Sequence, residues 1–315
     1  MKSNENVTQP AWDLFCKGNL AGAEQAAAAA IQKLNSMAVS PVPDILILKA
    51  YYLCRLSRFE EARSLFGRVL EACPDDVYAQ QGYLLALQDG LALKMPEKGP
   101  TSTGTLLLGL GTGRSGSTTL AKLWTEQEGC YCSHEHPPRL SWKGSSSRLA
   151  FHRRRFDILR GHFKYVGDVS HWWLPYIDML MDHYNDVRIV VLKRDRKATV
   201  DSFLKIKGGG GKGAINHWVE HDGRLWARNV WDECYPSYDT SDMKEAIEHY
   251  WEDYYATVDN MMQRFPSSIR VFPTEQLSDP NTQADLLSFC GFATPCLKTD
   301  LCLNKGDALD GLQMY

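Results

Sequence analysis

The feature that most constrains the fold is an apolar segment that runs directly into a glycine-rich turn. Residues Thr105 to Gly111 read TLLLGLG, and GRSGSTT follows from Gly113 to Thr119. The apolar run predicts a buried strand, and a helix is expected to begin near Ser117. Glycines let backbone amides approach an anion closely at the N-terminus of such a helix. The segment therefore predicts an anion-binding loop within an α/β domain.

Three further segments are apolar enough to be buried strands, namely Tyr165 to Val169, Val187 to Lys193 and Ile269 to Phe272. Helical segments such as Leu174 to Tyr184 separate them. Alternation of apolar strands with helices is typical of a parallel sheet that is covered on both faces. We expect a P-loop-like α/β fold with helices on both faces of the sheet.

The first 95 residues carry apolar positions three and four apart, which predicts helices. Residues in this region resemble the small, aromatic and helix-ending positions of a tetratricopeptide repeat: Ala50, Phe59, Ala62, Phe66 and Pro74. A weaker copy of the same repeat pattern precedes these residues in the chain. Because repeat arrays normally need three or more units to form a groove, a helical cap or homodimer contact is favoured over a partner-binding groove.

The amino-acid composition changes from Gln88 to Gly104, where glycine, proline, lysine and hydroxyl residues become frequent. This composition is typical of exposed linkers. We therefore predict a tetratricopeptide-like helical domain at 1–95, a linker at 96–104 and a second domain at 105–315.

Composition excludes several classes of protein. The 315 residues are 44% hydrophobic and 23% charged, with a formal net charge of −3, which gives no electrostatic reason to expect nucleic-acid binding. No segment is apolar enough to span a membrane, and the first ten residues lack the apolar stretch of a signal peptide. Nine cysteines, an odd number, favour reduced thiols. We expect a cytoplasmic protein.

The loop itself carries the chemistry of an anion site. Arg114 supplies a planar guanidinium group with a permanent positive charge. Hydroxyl donors come from Ser115, Ser117, Thr118 and Thr119. Spacing up to Gly116 matches the nucleotide-triphosphatase loop, but Ser117 replaces its lysine and argues against ATP. The three glycines also satisfy the dinucleotide fingerprint, although no acidic residue ends a clear second strand about 20 residues later.

Here the sequence resembles the sulfotransferase superfamily. Gly113-Arg114-Ser115-Gly116-Ser117-Thr118 is similar to its loop Pro-Lys/Arg-Ser-Gly-Thr-Thr. A strand that ends in Arg194-Asp195, with Ser202 eight residues after the arginine, is similar to its second signature, and Thr274 to Pro280 is similar to a third segment. The resemblance covers about Thr105 to Asp310, and the helical N-terminus resembles repeat units attached to some bacterial members.

This resemblance implies a co-substrate, 3′-phosphoadenosine 5′-phosphosulfate (PAPS), and a hydroxyl-bearing acceptor of unspecified class. Arg114 and the loop from Gly113 to Thr119 would hold the phosphosulfate, while Arg194 and Ser202 would hold the 3′-phosphate. The alternative for Arg194 is an ion pair with Asp195 or another carboxylate. Two rival functions remain open: a P-loop kinase, and a helical-repeat adaptor with a catalytically silent α/β domain.

The resemblance also implies a base shortly after the loop helix, where CYCSHEHPP runs from Cys130 to Pro138. We expect Glu135 to be the base and His134 the second choice, with His136 also available. If the segment is extended, Glu135 faces away from both histidines. A surface ion pair with Arg139 is the structural alternative for Glu135.

A zinc site is disfavoured in this segment, because ligands at period two along one strand are spread too far to surround one ion. Sulfonate transfer has no intrinsic need of a metal, so we expect none.

Three other features receive weaker interpretations. Trp172 and Trp173 are expected in the core more than in an acceptor pocket. A glycine-rich loop at 208–213 and a basic segment at 304–306 are candidates for covering the donor. Aromatic residues predict a helical lid: Trp218, Trp226, Trp231, Trp251, Tyr254 and Tyr255.

Overall fold

The computed structural model describes residues 9–11, 13–14, 17–36, 43–94, 104–144, 146–207, 216–218 and 231–298. The chain divides into two compact units. One comprises Met1–Lys98 with Ala150–Ile158, and the other comprises Gly99–Leu149 with Leu159–Met314. Ala150–Ile158, which the sequence analysis assigned to the second domain, thus groups with the helical unit.

Among the described residues, the first unit contains α1 (Leu20–Ser36), α2 (Pro43–Arg55), α3 (Phe59–Ala72) and α4 (Val77–Lys94), together with the helical residues Ala150–Ile158. Aliphatic and aromatic side chains fill its interior, and Ala50, Ala62 and Phe66 are fully buried. Three of the positions that resemble a tetratricopeptide repeat are therefore core positions. The assignment to that repeat class stays a prediction.

Gly82 in α4 makes a close approach to α3 possible. A Cβ added at Gly82 would lie 2.2 Å from Cζ of Phe66, a ring with no exposed surface. We expect Gly82→Ala to destabilise the protein by about 1–3 kcal/mol through overpacking, despite the roughly 1 kcal/mol by which alanine favours a helix. Urea unfolding measures the difference.

Gly67 in α3 is the matched control, because a Cβ there would meet nothing within 4 Å. Gly67→Ala is expected to raise the free energy of unfolding by up to about 1 kcal/mol. Equal effects of the two substitutions would contradict the packing argument.

The second unit contains a five-stranded parallel sheet flanked by helices, which confirms the predicted fold class. Its strands are β1 (Thr105–Leu110), β2 (Cys130–His134), β3 (Tyr165–Val169), β4 (Val187–Lys193) and β5 (Ile269–Pro273). Their order across the sheet is β2-β3-β1-β4-β5. The helices that follow α4 in the chain are α5 (Ser117–Thr125), α6 (Ser146–Arg160), α7 (Ile177–His183), α8 (Arg196–Lys207), α9 (Met243–Arg264) and α10 (Pro280–Phe289). Of these, α6 has its central residues, Ala150–Ile158, in the first unit.

The strand order determines where a site can form. β1 lies at the centre, and its Leu110 pairs with Val191 of β4. The chain leaves β1 toward the β2 edge through α5 and leaves β4 toward the β5 edge through α8, so the two connections diverge. Such a divergence opens a crevice at the carboxyl ends of parallel strands. The glycine-rich loop and Arg194 both follow these strands and border this crevice.

The described residues also bear on membrane-spanning helices and on the state of the cysteines. No helix among them has both the length and the apolar character needed to cross a membrane. All seven cysteines that the structure describes are free thiols.

Candidate active site

The loop between β1 and α5 presents an uncapped helix N-terminus. Gly116 has φ 87°, in the left-handed region, and α5 begins at the next residue with no side chain capping its first turn. The amides of that turn have no intrahelical partner and are available to an anion. Gly113 also has a positive φ, of 81°. The glycines in this loop are therefore required by its backbone conformation.

The structure brings together three predicted anion-binding residues that are 80 and 88 positions apart in the sequence. The Nε of Arg114 donates to Oγ of Ser202 at 3.2 Å, and the Nη1 of Arg194 donates to the carbonyl of Arg114 at 2.8 Å. Burial lowers the pKa of Arg114, and the nearby charge of Arg194 lowers it further. Two guanidinium groups that repel each other are stabilised by an anion placed between them.

The Asp195 carboxylate does not neutralise Arg194. Its Oδ1 accepts from the amide of Ala198 at the start of α8 instead. Within the described part of the chain, Arg194 forms no ion pair. The alternative interpretation of Arg194 as half of a surface salt bridge is therefore not what the structure shows.

Surrounding side chains form hydrogen bonds with the backbone of the loop after β1 and of the segment after β4. Nε1 of Trp251 donates to the Arg194 carbonyl at 3.1 Å, and the amide of Asp195 donates to Oε1 of Glu275 at 3.2 Å. Thr274 Oγ1 donates to the Ser115 carbonyl at 2.7 Å. The Thr274-Glu275 segment that resembles the sulfotransferase pattern thus links the glycine-rich loop to the end of β4.

The four hydroxyl groups of the loop differ in accessibility. Ser117 and Thr118 are partly exposed, whereas Ser115 and Thr119 are buried. Within the described residues, Ser115 Oγ has no hydrogen-bond partner. The geometry therefore offers the hydroxyls of Ser117 and Thr118 to a ligand more readily than the other two.

Glu135 occupies a strained position at the end of β2. The strand stops at His134, and Glu135 has φ 50°, so the alternation of faces expected through His136 ends two residues earlier. Among the described residues, the non-glycine residues with positive φ are Ser57, Arg114 and Glu135, two of which lie in this site. Such backbone conformations cost about 1–3 kcal/mol and cluster at functional sites.

The environment of Glu135 favours the protonated carboxyl group. Burial raises the pKa of Glu135, and the nearby Asp168 raises it further, whereas His134, Arg139 and Arg114 oppose this shift. Its Oε1 lies 3.9 Å from Nδ1 of His171. About a quarter of the Glu135 side chain stays exposed. A carboxylate with a raised pKa at an accessible position has the properties of a general base.

His171 is a buried neutral imidazole beside Glu135. Its Nε2 donates to the Cys234 carbonyl at 3.2 Å, which leaves the Nδ1 lone pair facing Glu135. Burial lowers the pKa of His171 to about 3. Within the described residues, Nδ1 makes no hydrogen bond. This nitrogen can therefore accept a proton donor from the direction of Glu135.

Asp168 lies near Glu135 and accepts hydrogen bonds from three neighbouring side chains. The buried carboxylate accepts from Oγ of Ser133 at 2.5 Å, Oγ of Ser170 at 2.7 Å and Nε1 of Trp173 at 2.8 Å. These three donors are neutral, and Asp168 is one of the groups that raise the pKa of Glu135. Trp172 and Trp173 have no exposed surface, which agrees with the core interpretation for both.

The two histidines of the segment have other contacts. His134 Nε2 lies 2.9 Å from Oγ of Ser117, and His136 Nδ1 lies 2.5 Å from the Pro137 carbonyl. In the described ranges, no group of three His, Cys, Asp or Glu side chains is arranged to hold a metal ion.

The predicted aromatic lid is wrong for several of its residues. Tyr254 and Tyr255 of α9 are buried, as is Trp218. The Tyr254 hydroxyl accepts from the amide of Gly111 at 3.0 Å, and the Tyr255 hydroxyl donates to the Leu192 carbonyl at 2.7 Å. These side chains hold the ends of β1 and β4 in place. Trp226, the loop at 208–213 and the segment at 304–306 lie outside the described residues.

Sequence reasoning missed several residues of this site, namely Asp168, His171, His217, Asp232 and Tyr235. A charged residue near the carboxyl end of an otherwise apolar strand was the available signal for Asp168. The others lie on separate segments and are brought to the site only by the fold.

Sequence comparison matched no protein-family model and no curated protein. Among solved structures, the fold is similar to that of sulfotransferase STF1 from Mycobacterium tuberculosis H37Rv. The two chains are 12% identical, with a TM-score of 0.45, over 80% of this chain and 90% of that chain. This distant likeness carries no inference about the present site, whose interpretation depends on its own side chains.

Proposed function

We propose that this chain transfers a sulfonate group from PAPS to a hydroxyl acceptor. The observation that carries the proposal is the meeting of Arg114, Arg194 and Ser202 beside the uncapped N-terminus of α5. An anion-binding helix start with one arginine would suit many ligands. A second arginine and a hydroxyl at the neighbouring strand end favour a ligand with two separate phosphate positions.

The residues fit such a donor in charge and in hydrogen-bonding capacity. The α5 amides and the Arg114 guanidinium would bind the 5′-phosphosulfate, and Arg194 with Ser202 would bind the 3′-phosphate. The lowered pKa of Arg114, caused by burial and by Arg194, indicates positive charges that lack sufficient counter-charge. Binding an anion would relieve this repulsion.

In the proposed reaction, the acceptor oxygen forms a bond to sulfur as the bond between sulfur and the 5′-phosphate oxygen breaks. The products are a sulfate ester and 3′,5′-adenosine bisphosphate, which leaves with the electron pair of the broken bond. Arg114 and the α5 amides would stabilise the charge on the leaving phosphate. Glu135 would take the hydroxyl proton. The Nδ1 lone pair of His171, which faces Glu135 at 3.9 Å, favours the protonated carboxyl group that results.

A kinase is the rival enzyme. Ser117 stands where a P-loop kinase needs lysine, and its hydroxyl faces His134. We therefore expect the protein to bind 3′,5′-adenosine bisphosphate more tightly than ATP with magnesium, as measured by titration calorimetry. Tighter binding of ATP would contradict the donor assignment.

A transfer assay tests the reaction itself. We expect labelled sulfonate from PAPS to enter a product when the protein is incubated with a cell extract, and mass spectrometry identifies products heavier by one sulfonate. A chain that binds the bisphosphate but labels no product would instead support the adaptor hypothesis.

A further inference from the structure

Three polar side chains form a hydrogen-bonded chain at the end of α8. Lys207, the last residue of α8, has its Nζ 2.6 Å from Nε2 of His217. Nδ1 of the same imidazole lies 2.5 Å from Oδ1 of Asp232. His217 is buried, and Lys207 and Asp232 are partly exposed. The three residues form a continuous hydrogen-bonded line that ends in an ammonium group.

The two hydrogen bonds determine which protons are present. A carboxylate only accepts, so Nδ1 of His217 donates to Asp232, and its Nε2 lone pair then accepts from Lys207. Burial lowers the pKa of His217, and the Lys207 ammonium lowers it further, against the opposing effect of Asp232. His217 is therefore neutral and accepts the hydrogen bond from Lys207. Among the described residues, the Lys207 amine bonds to His217, so its other hydrogens can be offered to a further acceptor.

Ring stacking ties this chain to the loop. The His217 ring stacks on Tyr235, with centroids 5.3 Å apart and an interplanar angle of 12°. The Tyr235 hydroxyl lies 3.9 Å from the position that a Cβ on Gly113 would occupy. Tyr235 also stacks on His171, with centroids 4.4 Å apart and an interplanar angle of 16°. The position of His217 is thus set by the same ring that packs against the glycine-rich loop.

The charge of Lys207 interacts with Arg114, on the leaving-phosphate side of the proposed reaction, and with Glu135, on the base side. Burial lowers the pKa of Lys207, Asp232 opposes this effect, and the charges of Arg114 and Glu135 act on it in opposite directions. In an in-line transfer, the base side and the leaving-phosphate side flank the migrating group. Arg114 and Glu135 mark these two sides. Packing connects Lys207 to both, because Lys207 bonds to the His217 ring that stacks on Tyr235. Tyr235 in turn has its hydroxyl near Gly113 and its ring on His171, which lies 3.9 Å from Glu135.

We infer that Lys207, held in place by His217 and Asp232, contacts the donor's sulfonate and distinguishes PAPS from the spent 3′,5′-adenosine bisphosphate. This inference rests on the proposed function. The bisphosphate lacks only the sulfonate, so a contact made to that group favours the loaded donor alone. Weaker retention of the spent product would then assist its exchange for a new donor.

A purely structural role for the three residues makes a different prediction. His217 and Asp232 connect separate segments of the chain, so their loss could disturb the whole donor site. In that case, both nucleotides would bind more weakly to the same extent. The ratio of the two dissociation constants therefore separates a sulfonate contact from a structural clamp.

The test is titration calorimetry of the full chain with PAPS and with 3′,5′-adenosine bisphosphate, each without an acceptor. We expect Lys207→Ala to weaken PAPS binding about 10- to 100-fold, the effect of losing one hydrogen bond to a charged group, and to leave bisphosphate binding unchanged. Lys207→Gln, which preserves length without the charge, provides the same comparison if the alanine variant fails to fold. Asp232→Asn is expected to lower PAPS affinity less, and again selectively.

Lys205→Ala is the matched control, since Lys205 is an exposed lysine two residues earlier on α8. It should bind both nucleotides as the wild type does. Equal losses for both nucleotides in the Lys207 variants, or no loss for PAPS, would overturn the inference while leaving the proposed function intact. Failure of the wild type to bind either nucleotide would overturn the proposed function, and this inference with it.

Discussion

Glu135→Gln is expected to lower the rate of sulfonate transfer about 100-fold or more, the usual contribution of a general base, while donor affinity stays nearly unchanged. Glutamine preserves the size of the side chain and its place beside His171, but it cannot take the acceptor's proton. Transfer of labelled sulfonate from PAPS into extract products measures the rate. Calorimetry with 3′,5′-adenosine bisphosphate measures the affinity.

His134→Gln is the comparison for this prediction. His134 contacts Ser117 and shares the segment with Glu135, so its replacement tests the second candidate base at the same edge of the sheet. We expect a much smaller loss of rate than for Glu135→Gln. Retained transfer in Glu135→Gln, with loss in His134→Gln, would assign the base to His134.

The pH dependence of the rate gives a second readout for Glu135. Burial and Asp168 raise the pKa of Glu135, so this carboxyl group stays protonated at pH values where an ordinary glutamate is ionised. A base works only when deprotonated, so the rate should be high above the raised pKa and fall as the pH decreases through it. An acidic limb at the ordinary glutamate value of about 4.3 would contradict this environment.

Arg194→Ala is expected to weaken binding of 3′,5′-adenosine bisphosphate much more than binding of AMP. The two ligands differ by the 3′-phosphate, and a hydrogen-bonded charge pair to that group contributes about 1.5–3 kcal/mol, or roughly 10- to 150-fold in affinity. Because Arg194 also donates to the Arg114 carbonyl, some loss for AMP is expected as well. The ratio of the two dissociation constants is therefore the quantity to measure by calorimetry.

Arg196→Ala serves as the control for Arg194. Arg196 lies two residues away, but its guanidinium is 2.6 Å from Oε1 of Glu252 on α9. An arginine already paired at the surface should contribute little to a phosphate site. Equal weakening of the bisphosphate and AMP in Arg194→Ala would refute the 3′-phosphate assignment.

Local patterns in the sequence were sufficient to predict most of the elements that border the site. The apolar run at Thr105 and the glycines after it predicted β1, its loop and the start of α5, because strand burial and positive φ values are properties of short segments. The same holds for β3 and β4. The segment from Leu174 was less accurate, since it begins as a 3₁₀ helix that contains Pro175.

Contacts between distant segments could not be predicted in this way. The alternation of faces assumed for Cys130 to His136 fails at Glu135, where φ turns positive, and Glu135 then packs near Asp168 and His171. The aromatic residues of α9 were interpreted as a lid because composition does not indicate which face of a helix is buried. In the structure, Tyr254 and Tyr255 bond to the backbone of the β1 and β4 ends.

The sequence by itself determined the fold class, the anion-binding loop, and Arg194 and Ser202 as candidates for a second phosphate. These depend on residue types at short spacings, which local sterics and hydrogen bonding control. Only the tertiary structure brought Arg114 into contact with Ser202, raised the pKa of Glu135 and joined Lys207 to His217 and Asp232. Such effects arise from burial and from distances between segments far apart in the chain, which are set by the order of the strands and the packing of the helices.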